Sequence, residues 1–155
     1  AQRDEIDPIE QASYPPDEPA TRDKLHFRIS EANDYFLVTT VGGKVAGYVC
    51  STMAEGTELT HDSMSGHVPG GTLLCLHSVV VEASHRRKGL GTRMLKEYVA
   101  RMKALTKEGG GKRVERMALI CKENLIEFYA KCGFEMVGKS AVVHGLDPWF
   151  EMKID

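Results

Sequence analysis

The sequence has no long hydrophobic run and almost no net charge. Its 155 residues carry a formal net charge of -2 at pH 7, with 27% charged and 42% hydrophobic residues. A charge so close to zero gives no general electrostatic attraction to nucleic acid or to an anionic membrane. No apolar stretch reaches the length that a bilayer-spanning helix needs. Length and composition predict one globular domain over residues 1–155, with neither nucleic acid nor membrane as an expected partner.

Paired cysteine motifs are also absent. The four cysteines lie in separate apolar segments, at Cys50, Cys75, Cys121 and Cys132, and no two of them form a CxxC pair. Reduced core thiols are therefore expected instead of disulfides or a zinc cluster, and the histidine spacings match no standard metal site. These features favour the reducing cytoplasm. We find no signal peptide, although a chain that opens at Ala1 leaves open whether a targeting segment has been removed.

The first half of the chain predicts two helices and a β-hairpin. The elements are a short helix around Ile6 and Ile9, a proline-rich loop over residues 14–19, a helix over residues 22–32, and strands over residues 35–41 and 45–51. Thr21 is a suitable N-cap for the second helix, and the dipeptide Gly42-Gly43 suits a two-residue hairpin turn. Residues 52–71 form a long excursion without a sustained period, with one helical turn near residues 59–64.

The second half alternates strands with helices. The elements are a buried strand over residues 73–81, a basic turn over residues 84–91, a helix from Leu90 to the glycines at 109–111, a strand over residues 116–121, a short helix over residues 125–131, and closing strands over residues 134–137 and 149–154. The long helix carries one apolar stripe, formed by Leu90, Met94, Tyr98, Met102 and Leu105. This order predicts an α/β (α+β) fold with a mixed sheet flanked by helices.

The basic turn between the buried strand and the long helix is the sharpest chemical signal. Its sequence is Arg86-Arg87-Lys88-Gly89-Leu90-Gly91-Thr92. The two glycines let the backbone approach a ligand closely, and amide N–H groups at the helix N-terminus can bind phosphate oxygens. The spacing alone also fits a tight turn with a solvated basic rim. The run is neither a nucleotide-triphosphate loop nor the dinucleotide fingerprint, because it lacks the required Gly-Lys-Ser/Thr ending and the third glycine.

This turn, placed after a valine-rich strand, resembles the acyl-CoA-binding signature of the GNAT superfamily of N-acetyltransferases. Residues 121–134, which include Phe128-Tyr129, resemble the second signature of that superfamily. The resemblance implies the single-domain acyl-CoA N-acyltransferase fold, acetyl-CoA as cosubstrate and no metal. The chain departs from the superfamily at its start, because the expected first strand is short or absent before Ile6. The cofactor-binding residues that it implies are Val79, Val80, Val81, Arg86, Arg87, Lys88, Gly89, Leu90, Gly91, Thr92 and Asn124.

Within the superfamily, the chain resembles the arylalkylamine (serotonin) N-acetyltransferase group in particular. The similar segments are residues 18–28, 59–64, 76–81 and 149–152. This resemblance implies that an acetyl group is transferred directly, in a ternary complex, to the primary amine of an arylalkylamine such as serotonin, tryptamine or phenylethylamine. It also implies a substrate wall formed by Tyr14, Pro15 and Trp149, for which core packing is the alternative. The group's regulatory tails have no counterpart here, so no phosphorylation-dependent partner is expected.

The reaction needs a proton acceptor, because a primary amine with a pKa near ~10.4 is neutral in only about one molecule in a thousand at neutral pH. The resemblance places His77 on the central strand as this base, acting alone or through water. An imidazole pKa near ~6.5 suits that role, and a histidine satisfied within the sheet is the alternative. This site resembles the His-x-His pattern of the vertebrate enzymes of the group, except that this chain has Cys75 at the position of the first histidine.

A proton donor for the leaving group is also implied. Tyr129 matches the superfamily tyrosine that gives a proton to the departing CoA thiolate, and a core aromatic paired with Phe128 is the alternative. Backbone groups of residues 79–81 would polarise the acetyl carbonyl. A covalent route through Cys75 or Cys121 is disfavoured, because both lie in apolar strands where a thiolate is unstable.

Two other functions stay open from the sequence. The excursion carries Glu55, Glu58 and Asp62, which would suit a polyamine or protein-lysine N-acetyltransferase, although such charges are more often a solvated face. A non-catalytic acyl-CoA-binding module would keep the glycine turn without turnover. His77 and Tyr129 argue against that module.

Overall fold

A mixed β-sheet with helices on both faces organises the chain. The computed structural model describes residues 2–13, 20–107, 114–142 and 145–155. In these residues the strands are β1 (Phe36–Val41), β2 (Lys44–Ala54), β3 (Leu73–Val81), β4 (Arg116–Cys121), β5 (Glu135–Lys139) and β6 (Phe150–Ile154). The helices are α1 (Gln2–Ser13), α2 (Arg22–Glu31), α3 (His61–Ser65), α4 (Leu90–Lys107) and α5 (Ile126–Lys131). The predicted α/β fold with a mixed sheet is confirmed.

The strands lie in the order β1-β2-β3-β4-β6-β5, and neighbouring strands are antiparallel except for β3 and β4. A parallel pair needs a crossover connection, which α4 provides between these two strands. The parallel pair therefore joins an N-terminal half of the sheet, β1 to β3, to a C-terminal half, β4 to β6.

The joint between β3 and β4 is short. Residues 73–75 of β3 pair with residues 116–118 of β4. Farther along, β3 continues to Val81 beside β2, while β4 continues to Cys121 beside β6. Among these described strand residues the two strands part after Cys75 and Ala118. The space between residues 76–81 of β3 and residues 119–121 of β4 is called the cleft below.

Each face of the sheet has its own hydrophobic core. On the α4 face, the buried side chains of α4 are Met94, Leu95, Tyr98, Val99 and Met102, which pack against the sheet. On the opposite, α1–α2 face, Ile6 of α1 and Leu25 of α2 pack against Tyr48 and Val80. The burial of one stripe of α4 follows from the period of its apolar residues. The two faces hold β3 from both sides, as its apolar sequence predicts.

Local capping and turn residues take the predicted roles. Thr21 Oγ1 accepts a hydrogen bond from the Lys24 N–H at 3.2 Å and caps α2. Gly42 and Gly43 have φ angles of 59° and 79°, which the hairpin turn between β1 and β2 requires. Helix α1 is the first described element, and no strand precedes it in the described residues. The predicted end of α4 near residues 109–111 lies outside them.

Strand β2 is longer than predicted. The sequence predicts its end at Ser51, but it continues to Ala54, because residues 52–54 pair with residues 73–75 of β3. Pairing between distant segments overrides the weak local preference of these residues. The excursion therefore begins after Ala54, and its predicted helical turn is the short helix α3.

Gly71 lies against the end of β2, at a position that leaves no room for a side chain. A Cβ atom there would lie 2.3 Å from the carbonyl oxygen of Ala54, whereas nothing lies within 4 Å of a Cβ at Gly70. Gly71→Ala should force the two segments apart and lower the free energy of unfolding by about 1–3 kcal/mol. The control Gly70→Ala should change it by less than about 0.5 kcal/mol. Urea unfolding measures both, and equal midpoints would contradict the close approach.

Candidate functional site

A β-bulge in β3 determines the position of His77. Cys50 of β2 lies opposite Ser78, whereas the next residue of β2, Ser51, lies opposite Leu76. His77 is therefore the extra residue on β3. A bulge re-aims side chains and increases the local twist, and bulges are frequent beside active sites. The face to which each residue after His77 points depends on this bulge.

The imidazole of His77 is half-buried at the edge of the cleft. Its Nε2 lies 2.7 Å from Oγ1 of Thr52 on β2, and the tautomer decides which of the two donates. The hydroxyl fixes the ring, and an imidazole can accept a proton near neutral pH. This contact of Thr52 with the candidate base is one that the sequence does not predict. The only signal for Thr52 is a hydroxyl directly after the predicted second strand, and its contact with His77 requires the β2–β3 register.

The end of β3 has one backbone edge on β2 and the other on the cleft. The pairs with β2 are Val79 with Val49, Val80 with Tyr48, and Val81 with Gly47. The side chains of Val79 and Val81 pack on the α4 face, and that of Val80 packs on the α1–α2 face. This segment is held on both faces and along one edge. Its peptide groups on the cleft side can hydrogen-bond an extended ligand, as an added strand would.

The basic turn presents backbone amides to the same end of the sheet. Arg87 and Gly89 have φ angles of 61° and 79°, in the left-handed region that reverses the chain before α4. The Arg93 N–H donates to the Gly89 carbonyl at 3.2 Å, as the first turn of an α-helix requires. The amides of residues 90–92 come before it and have no acceptor within the helix. With the positive end of the helix dipole, they make a candidate anion site.

Close packing joins this turn to β3 and α5. A Cβ atom on Gly91 would lie 3.4 Å from Val81 Cγ2 and 3.5 Å from Phe128 Cε1. Arg86 donates from Nε to the Val81 carbonyl at 2.9 Å and from Nη2 to Ser13 Oγ of α1 at 3.0 Å. The turn is thus tied to β3 and to α1, while the side chains of the next two basic residues, at positions 87 and 88, are exposed.

Tyr129 lies in the hydrophobic core of the α4 face, beside the end of β4. Its ring makes edge contacts with Phe128 and Phe134, at centroid distances of 5.0 and 5.8 Å. Burial raises the pKa of its hydroxyl above the ordinary value, and the thiols of Cys121 and Cys132 raise it further. The phenol therefore stays protonated at physiological pH and can act only as a donor to a developing negative charge.

Two further predicted residues follow the end of β4 or lie close to it. Asn124 is exposed in a 3₁₀ turn directly after β4. Trp149 is half-buried, with Lys122 Nζ 5.9 Å from its ring centroid, and the same Nζ lies 3.1 Å from Asp147 Oδ2. Lys122 therefore holds the segment before β6 against the end of β4, a role that the sequence does not predict. The predicted wall residues at positions 14 and 15, Tyr14 and Pro15, lie outside the described residues.

The cysteine thiols are poor nucleophiles in this fold. All four are free and buried. Burial raises the pKa of Cys75 to about 12 and that of Cys121 to about 11. Burial also raises the pKa of Cys50 and of Cys132. The reactive species of a cysteine is the thiolate, so these values disfavour a covalent acyl-enzyme through them.

The described residues contain no group of three or more His, Cys, Asp or Glu side chains that could hold a metal ion. In the same residues, no helix has both the length and the apolar character needed to cross a bilayer.

Solved structures with the same arrangement of strands and helices include two GNAT-like domains. The GphF GNAT-like decarboxylase in complex with isobutyryl-CoA has a TM-score of 0.80 at 16% identity, over 98% of this chain and 93% of that one. The loading GNATL domain of CurA from Lyngbya majuscula has a TM-score of 0.82 at 12% identity, over 99% of this chain and 92% of that one. At these identities the likeness establishes the fold.

Sequence relatives point to the same superfamily. The serotonin N-acetyltransferase of Mesocricetus auratus is 30% identical over 111 residues, which are 72% of this chain and 51% of the relative. That of Homo sapiens is 26% identical over 110 residues, which are 71% of this chain and 50% of the relative. The chain spans about half the length of these relatives. The model of the Acetyltransferase (GNAT) family matches residues 3–134, and the chain therefore belongs to this family.

Proposed function

We propose that the chain is an acetyl-CoA-dependent N-acetyltransferase that transfers the acetyl group directly to the primary amine of an arylalkylamine. The observation that carries the proposal is the backbone edge of β3 beyond Cys75, which has no pairing with β4 and ends at Val81, beside Gly91 in the first turn of α4. An acyl-pantetheine arm and a pyrophosphate have this shape and charge, one extended and hydrogen-bonding, the other anionic. Membership of the GNAT family and the likeness to serotonin N-acetyltransferases support it.

Acetyl-CoA would bind along the cleft. The pantetheine amides would pair with the peptide groups of residues 79–81, as an edge strand does. The pyrophosphate would accept hydrogen bonds from the amides of residues 90–92, with Arg87 and Lys88 adding positive charge. Asn124, exposed beside the end of β4, would contact the arm from the other side of the cleft.

The two proton-transfer groups would act from opposite faces of the sheet. His77, held by Thr52, takes the proton that the amine loses as its nitrogen attacks the acetyl carbon. A peptide N–H of residues 79–81 stabilises the developing oxyanion. When the tetrahedral intermediate collapses and the carbon–sulfur bond breaks, Tyr129 donates its proton to the leaving sulfur, and the proton on His77 returns through solvent to restore both groups.

The aromatic amine is the favoured acceptor. Trp149 is held beside the end of β4 and can contact an aromatic ring. Tyr14 and Pro15 are proposed to complete this wall. A polyamine or protein-lysine acceptor is the second candidate. Burial raises the pKa of the half-buried Glu151 of β6, and the negative charge of Glu58 raises it further, so the two carboxyl groups interact. These two carboxyl groups would attract a second amine.

Release of free CoA thiol from acetyl-CoA separates these functions. Tryptamine, serotonin, phenylethylamine, spermine and a lysine peptide are compared at equal concentration. We expect the aromatic amines to give the highest kcat/KM. Preference for spermine or the peptide would favour the second candidate. Binding of acetyl-CoA without release of CoA with any amine would favour a non-catalytic acyl-CoA-binding module.

His77→Gln should lower kcat by about 100-fold or more, because the amine loses its proton acceptor. The acidic limb of the pH–rate profile, which His77 protonation would produce, should also disappear. His61→Gln is the control, since His61 is an exposed histidine of α3, and it should keep the wild-type profile. An unchanged profile in His77→Gln would remove His77 from the role of base.

Tyr129→Phe should lower kcat by about 10-fold or more while the acetyl-CoA Kd stays within about two-fold. Because the pKa of Tyr129 is raised, the wild-type rate should show no loss from its ionisation up to about pH 10. Tyr35→Phe removes the hydroxyl of another buried tyrosine in the same core and should keep the wild-type kcat. If Tyr129→Phe turns over like wild type, Tyr129 is a packing residue.

A further inference from the structure

A buried carboxyl group contacts the residue that follows the bulge, and the proposed reaction does not use it. Glu10 of α1 is 1% exposed. Its Oε1 accepts hydrogen bonds from the Tyr48 hydroxyl at 2.9 Å and from the Ser78 hydroxyl at 2.8 Å. Burial raises the pKa of Glu10, whereas these two hydroxyls and the positive charge of Arg28 oppose that rise. A buried carboxyl group held by so many partners requires a structural or functional reason.

Ser78 is the residue that directly follows the bulged His77. It is 4% exposed and lies in a strand whose other residues after the bulge are all valines. In a strand, successive side chains point to opposite faces, so a register shift of one residue moves every following side chain to the other face. Loss of the bulge would place His77 opposite Cys50 and turn Ser78 toward the α4 face, away from Glu10.

The valines cannot oppose such a shift. Val79 and Val81 now pack on the α4 face and Val80 packs on the α1–α2 face. After a shift of one residue, Val79 would replace Val80 opposite Tyr48 and Val80 would replace Val81 opposite Gly47, so the hydrophobic pattern at these two positions hardly distinguishes the two registers. At the third position, opposite Val49, Ser78 would replace Val79. The shift would, however, exchange the peptide groups that face β2 with those that face the cleft. Ser78 is thus the side chain in this segment that differs between the registers.

We propose that Glu10 is a positioning residue for the end of β3, residues 79–81. By holding the Ser78 hydroxyl on the α1–α2 face, it selects the register in which His77 is the extra residue and in which the present set of peptide groups of residues 79–81 faces the cleft. The catalytic consequence rests on the proposed function, but the effect on strand register does not. Glu10 acts through Ser78 and needs no contact with substrate.

Tyr48 offers a matched control, because it donates to the same oxygen of Glu10 and is also buried, but it is not part of β3. Ser78→Ala should weaken acetyl-CoA binding, measured by calorimetry, by about 10-fold and lower kcat by about 10-fold. Tyr48→Phe should change both by less than about two-fold. Ser78→Thr keeps the hydroxyl and should restore most of the affinity. Equal losses in Ser78→Ala and Tyr48→Phe would overturn the proposal, because both would then report a general loss of stability.

Strand register can be read without any turnover. In the wild type, cross-strand nuclear Overhauser effects should join Cys50 to residue 78. In Ser78→Ala, a second set joining Cys50 to His77 should appear, and Tyr48→Phe should keep the single wild-type set. A single wild-type set in Ser78→Ala would overturn the proposal. If the wild type binds no acetyl-CoA, the proposed function fails, and these register measurements still decide the role of Glu10.

Discussion

The separation of β3 from β4 is the constraint on which the rest of the structure depends. Buried peptide groups need hydrogen-bond partners, and a parallel pair normally supplies them along its whole length. Here the pairing stops after Cys75 and Ala118. The groups beyond that point lie at an opening suited to an extended, hydrogen-bonding ligand. The bulge at His77, the turn before α4 and the core around Tyr129 all surround this opening.

The site gains its chemical asymmetry from the two faces of the sheet. His77 is half-buried at the edge of the cleft with a hydroxyl partner, whereas Tyr129 is buried among aromatic rings and thiols, where its ionised form is unstable. The same desolvation keeps the cysteines as thiols. The imidazole of His77 can therefore accept a proton, whereas the phenol of Tyr129 can only donate one. In the proposed reaction, a ligand between them would meet His77 as the base and Tyr129 as the acid, and no cysteine nucleophile would be needed.

Local patterns in the sequence predict most of the fold but not its long-range register. The Gly42-Gly43 hairpin, the Thr21 cap, the buried run of β3 and the turn before α4 are each specified by neighbouring residues, and the structure has all four. The bulge at His77, the continuation of β2 to Ala54 and the contact of Thr52 with His77 depend on how distant strands align. The three consecutive valines after His77 carry no local pattern that marks the bulge, and the pairing of residues 52–54 with residues 73–75 joins segments that are distant in the sequence.

The short β3–β4 joint also has a mechanical meaning. The sheet consists of two three-stranded halves, and the only strand pairing between them in the described residues is the joint of residues 73–75 with residues 116–118. A molecule that lay in the cleft and contacted both β3 and β4 would link the two halves of the sheet where the strands do not pair. Any ligand that binds the folded state alone shifts the unfolding equilibrium by mass action. In this fold, the resistance of the two halves to parting would therefore follow the concentration of the molecule between them.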